Sequence, residues 1–227
     1  MKPLLLTLGL TLGALACLAQ PAGEETLNYL INWPSGLSLG EARLQAKGAD
    51  RRWQLEFTLE AALPGSAVND RYQSIAGRED YCSLEFEKQI VHGKRKGHER
   101  TAFDLPRSLA TRQTLDGGGS SEIPTAACPK DALTFLYYLR RELSQGRLPP
   151  EQTVFFGASY QVRLEFGGAQ KLRTGDSTVE ADRLVASVKG PAAEITFEVF
   201  FARDAKRTLV LVRVPFPMGI FSMELVP

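Results

Sequence analysis

Cys128–Gly146, CPKDALTFLYYLRRELSQG, is the stretch whose periodicity departs from the rest of the chain and so decides the fold. Ala132, Leu136, Leu139 and Leu143 recur at helical spacing with Phe135 beside them, while Lys130, Arg140, Arg141 and Gln145 fall elsewhere on the wheel. Pro129 suits a first turn, where its missing N–H has no partner to lose. Asp131 brings negative charge to the positive end of the helix dipole. Gly146 can take the left-handed conformation that ends a helix, and Pro149-Pro150 forbid its continuation. One amphipathic helix is expected here, packed on or plugging a large antiparallel β structure.

The flanking sequence alternates with a period of two. Ala42, Leu44 and Ala46 alternate with Arg43, Gln45 and Lys47. After Gly48-Ala49-Asp50, Trp53, Leu55, Phe57 and Leu59 alternate with polar residues, which reads as a β-hairpin. Leu27–Trp33 reads as a strand before it. Val68–Ala76 is ambiguous between strand and short helix, and 81–90 with 92–103 form a second hairpin around His92-Gly93. The interval 116–127 reads as a flexible loop. After the helix, strands are expected over 160–166, 177–189, 195–201, 209–214 and 220–226, with Gly167-Gly168 supplying a turn. Leu209–Val214 is apolar on both faces, as in a central or covered strand. The fold class is mainly β: a curved antiparallel sheet, barrel-like or a sandwich, with one amphipathic helix.

The first residues read as a secretory signal. Met1-Lys2 precede an apolar run from Leu4 to Leu18, too short for a comfortable membrane span. The reading divides the chain into a signal peptide, 1–19, and one β-rich domain, 20–227, exported to the periplasm. Cys17 offers a second reading as a lipidated N-terminus, though Ala14 stands where such signals carry Leu. The whole chain has 27 basic and 26 acidic side chains, and losing Lys2 leaves the remainder formally neutral, with no global field to draw it to nucleic acid. The body beyond the signal then holds Cys82 and Cys128. In an oxidising compartment this even pair is expected to form one bridge, the alternative being two buried thiols.

Few constellations carry chemistry. Gly36-Leu37-Ser38-Leu39-Gly40 matches the pattern of a nucleophile elbow, but the residues after it alternate like a strand where the elbow needs a helix, so a turn is the simpler reading. His92 and His98 stand among Lys94, Arg95, Lys96 and Arg100, which repel a cation, and no further ligands define a geometry. No metal and no cofactor are expected. The same basic stretch can meet anionic headgroups or simply keep a hairpin tip soluble. On the helix, Phe135, Tyr138 and Leu139 are the candidate ligand-binding residues, with core packing as the plainer use of such a stripe.

The order of features resembles a bacterial exported family, catalogued as domain of unknown function 3108, over nearly the whole body of the chain. The residues that carry this are Glu25–Tyr29 with Trp33-Pro34, Gly40, Asp70–Ser74, Tyr81–Phe86, Phe103-Asp104 and, most specifically, Asp131–Arg140. Thr134 departs mildly from the Ser usual there. The resemblance implies an envelope β domain and supplies no catalytic residues. Three functions are therefore weighed. The first is a non-catalytic binding or carrier module for an apolar or lipid-like ligand. The second is a structural or interaction module for another envelope protein, and the third is a hydrolase using Ser38.

Overall fold

The structure is a computed structural model that describes residues 23–63 and 66–226. The stretch read as a signal peptide, 1–19, and Cys17 within it lie outside the described residues. The first eight strands are β1 (Glu24–Asn32), β2 (Ser38–Ala49), β3 (Arg52–Leu63), β4 (Ser66–Gly77), β5 (Ser83–His92), β6 (Arg95–Asp104), β7 (Leu109–Thr114) and β8 (Ser120–Pro124). A two-residue strand, β9 (Lys130–Asp131), leads into the helix α1 (Ala132–Ser144). The chain then runs through β10 (Gln152–Phe155), β11 (Ser159–Thr174), β12 (Ser177–Lys189), β13 (Glu194–Ala202), β14 (Leu209–Phe216) and β15 (Gly219–Val226).

All fifteen strands form one curved sheet in which almost every strand pairs with its sequence neighbours. β1 also pairs antiparallel with β15, so the two halves of the meander are joined where the first and last strands meet. The pairing lapses between β8 and β9, leaving the sheet open. The roll is completed by overlap at that gap. The β10–β11 turn lies on the inner face of β4–β7, where Phe156 packs against Tyr72 and Phe86 and the Arg112 guanidinium donates to the Gly157 carbonyl at 2.6 Å.

Alternation sets which side chains enter the roll. Ala42, Leu44 and Ala46 of β2 and Leu55 of β3 are buried together with residues of the far wall, such as Leu184 and Phe201, in one core around α1. Because the connections β1–β2, β3–β4, β5–β6 and β14–β15 all follow strands of one direction, they lie at one end of the roll. The helix lies across the other end, where Arg140 reaches the start of β1 and the β13–β14 turn.

Several sequence expectations are corrected here. The helix begins at Ala132 rather than Cys128, because Asp131 caps it with its side chain while Pro129 stays in the preceding segment. Gly146 ends it as expected, at φ 71°. The interval 116–127 is not merely a loop: Ser120–Pro124 pairs with β7, a strand that no local pattern announces. Val68–Ala76 lies within a strand. Gly167-Gly168 makes a bulge inside the long β11 instead of a turn. Beyond that bulge the β11–β12 hairpin folds back over the outer face toward β15, and Leu172 and Val179 cover Phe200, Val210 and Leu211. That cover is the physical reason β14 is apolar on both faces.

Candidate functional site: an apolar hollow beside the helix

The helix is held by polar groups at both ends. Asp131 is fully buried and its carboxylate is fully used. One oxygen accepts from the Leu133 and Thr134 amides, and the other from the Ser74 and Ser83 hydroxyls at 2.6 Å each. Burial raises its pKa, against the pull of those hydrogen bonds. Beside it, the predicted Cys82–Cys128 bridge is formed, joining the start of β5 to the segment before the helix. Nine residues on, Arg140 makes a bidentate pair with Glu25 at 2.6 and 2.8 Å, and its Nε donates to the Lys206 and Arg207 carbonyls. Burial works to raise the Glu25 pKa, but the hydrogen bonds and charge of Arg140 prevail and hold it below the usual carboxylate range. Tyr137 donates to the same carboxylate and stacks on Trp53. Helical spacing puts Arg140 off the apolar face. In the fold it is buried, since the sheet wraps both sides of the helix.

Held this way, the face bearing Ala132, Phe135, Leu136 and Leu139 joins the core but does not fill the space in front of the opposing sheet. Between it and the inner faces of β10–β13 lies a hollow of about 460 Å³, walled by Val162, Leu164, Val188, Phe197 and Val199 among others. Tyr160 contributes the single polar side-chain atom among its lining residues. A second hollow of about 480 Å³ lies on the inner face of β1, β3, β4, β14 and β15, lined by Ile31, Leu59, Val68, Val212 and Met223. The two adjoin, because Val199 of the first is the cross-strand partner of Val212 of the second. Volumes in this range suit small-molecule sites, and walls of this composition bind by releasing water from apolar surface. Polar side chains are sparse in both: Tyr160 in the first, and Ser66 and Ser222 in the second.

Of the residues singled out on the helix, Phe135 and Leu139 line the first hollow. Tyr138 does not. Its ring lies between the Lys130 ammonium, 4.6 Å from the centroid, and the Arg141 guanidinium, at 5.0 Å. Leu136, which helical spacing marks only as core, lines it as well. So do the apolar faces of 160–166 and 195–201, whose alternation is visible in sequence but whose separation from the helix is not.

The other constellations disperse. His92 enters the inner face and bonds Asp70 at 2.8 Å, whereas His98, an even number of residues along but across a turn, sits on the outer face against Glu87 at 2.7 Å. Among the described residues no group of three His, Cys, Asp or Glu side chains converges as metal ligands would. Ser38 is exposed at the start of β2, and it leads into a strand. No described helix is long and apolar enough to cross a membrane.

Comparison with known proteins agrees with this architecture. A family model described as "Protein of unknown function (DUF3108)" matches residues 28–226. No curated protein matches the chain. Among solved structures, the chain is similar to a beta-barrel-like protein of domain of unknown function DUF1849 from Brucella abortus. The TM-score is 0.62 at 8% identity, covering 92% of this chain and 98% of that one. At that identity the likeness is one of fold.

Proposed function

The chain belongs to the DUF3108 family of proteins of unknown function, and on that premise we propose that it is a non-catalytic binding or carrier module for an apolar, lipid-like molecule, working in the periplasm. The observation that carries this reading is the hollow beside α1. A helix fixed at both ends by buried polar groups leaves part of the apolar wall beside it uncovered, and the gap has the volume and lining of a ligand chamber. The Cys82–Cys128 bridge supports an oxidising compartment.

The test uses a dansyl-labelled fatty acid as the probe, with mass spectrometry of gently purified protein beside it. The wild-type chain is expected to carry a co-purifying lipid and to enhance the probe's emission. Leu136→Trp fills the hollow from the helix side and is expected to weaken probe binding at least tenfold while leaving the fold intact. Ligand-free protein that ignores the probe ends the proposal.

A second reading rests on the sheet's open edge. β8 pairs on one side with β7, and its other side is left for strand addition by an envelope protein. Crosslinking in cells through a photoreactive group at Ser121 should then capture one dominant partner.

A further inference from the structure

We propose that the end of the roll opposite the helix is a docking surface for an anionic phospholipid bilayer. Two adjacent turns there build an apolar knuckle. Trp33, after β1, meets Phe221 edge-on with centroids 4.8 Å apart, and Phe221 meets Phe216 at 5.2 Å. A Cβ at Gly219 would collide with the Pro34 ring, so the two turns are packed against each other as one unit. On this aromatic base Leu37, Met218, Ile220 and Phe216 stand 67, 65, 56 and 49% exposed. Singly exposed apolar residues are ordinary, but four large ones on one tip mark an interaction surface.

The same end supplies the charge. The β5–β6 turn lies four strands along, about 19 Å at ~4.8 Å per strand, and exposes Lys94, Arg95 and Lys96. It is tied to the intervening β3–β4 hairpin by the Gly93 amide, which donates to the Ala67 carbonyl. Among the described residues, the ion pairs of this hairpin are made by His92 at the end of β5 and, further down, by Lys88, His98 and Arg100, which leaves the three cations at the tip to solvent. The acidic residues near this rim are Asp116 and Glu194 on other turns, buried Asp70, which is taken by His92, and Glu198 and Glu224, which face Arg213 in a recess beside Ile220. Turns at the opposite end carry mixed charge instead, as in Asp50-Arg51, Arg78-Glu79-Asp80 and Arg203-Asp204.

Charge decides the occupant. An apolar knuckle alone would suit a second copy or another protein. A knuckle flanked by cations matches a surface that is anionic outside and apolar just beneath, where each Lys or Arg near the headgroups contributes on the order of 1 kcal/mol. Docking there would turn the second hollow, whose lining includes Trp33 and Phe216, toward the membrane. This goes beyond the binding reading and does not depend on it.

The test is flotation of the purified chain with vesicles of phosphatidylethanolamine and phosphatidylglycerol, and in parallel with neutral phosphatidylcholine vesicles. The wild type should float with the anionic vesicles, less so at high salt, and its tryptophan emission should be quenched by brominated acyl chains. Lys94→Glu/Arg95→Glu/Lys96→Glu and Leu37→Glu/Ile220→Glu change only exposed tips, so their melting should be unaltered, and each should lose binding tenfold or more. Leu136→Trp should float as the wild type does, which separates this idea from the ligand chamber. A wild type that stays unbound, binding that survives either set of substitutions, or tip variants whose main effect is on self-association in sedimentation would overturn it.

Discussion

Asp131 carries a carboxylate into the interior at the one place where four donors converge on it. Two are the helix's first free amides and two are hydroxyls of the sheet, so a single side chain both starts α1 and fastens it to β4 and β5. Asp131→Ala strips the cap, orphans the Ser74 hydroxyl and leaves Ser83 only its bonds to Thr134 and the backbone, and about 3 kcal/mol of stability should be lost in urea unfolding, with Asn recovering part of it. Glu25 does the same for the other end of the helix. Its folded pKa is lowered below the ordinary 4.5, so its contribution is complete above that value and is lost as pH falls through the folded pKa. Melting temperature followed from neutral to acid pH should show that loss. Glu25→Gln should cost about 3 kcal/mol near neutrality, because buried Arg140 loses its counter-charge, and should shrink the acid limb. Glu87 and Glu142 shift in the same direction, so the limb shrinks without vanishing. Asp131 acts in the opposite sense. Its raised pKa favours the fold most at low pH, and that preference fades as pH rises through it.

At the scale of elements, the short β9 and the helix fill the break in an otherwise continuous meander. No ladder closes the sheet there among the described residues: β9 runs parallel to β10, and toward β5 the segment makes one backbone hydrogen bond, from the Ser83 amide to the Pro129 carbonyl, beside the bonds between Ser83 and Asp131. The Cys82–Cys128 bridge strengthens this weak seam by tying residues 46 apart in the chain. Cys82→Ser, or reduction of the bridge, should cost about 4 kcal/mol by the chain-entropy argument, less any strain relieved. Hydrogen exchange should show the loss first in β8, β9 and the start of α1 rather than in β2–β3. The same locality explains which elements are legible in sequence. The β2–β3 hairpin is legible because one face is wet and the other dry. β8 is not, because Ser120–Pro124 is short, polar and glycine-flanked, and only its pairing with β7 makes it a strand. The bulge at Gly167-Gly168 reads as a turn because glycine pairs serve both, and the choice depends on what the strand beyond it can cover.

For the whole molecule, the balance lies between filling the roll and leaving it open. Nearly all faces of the helix are buried, yet its ties direct it across one end, so the apolar walls of β11–β15 face a gap. An apolar ligand that occupies this gap adds stability by mass action, about 2.7 kcal/mol at a hundredfold excess over its Kd. The dansyl fatty acid should therefore raise the melting temperature of the wild type, and Leu136→Trp should abolish the rise.

The sequence by itself determined the class of each wall. Period-two alternation marks one apolar face per strand, a single period of 3.6 marks the helix, and two cysteines in the body mark the bridge; all of these are local or compositional signals. Only the tertiary structure decided where those faces stop touching. Asp131 and Arg140 find their partners 48 and more than 100 residues away, in Ser83 and Glu25. A helix anchored by such distant groups sits where its polar contacts put it, and a hollow remains wherever the apolar side chains fall short of one another. No pattern in one stretch of chain can encode that distance.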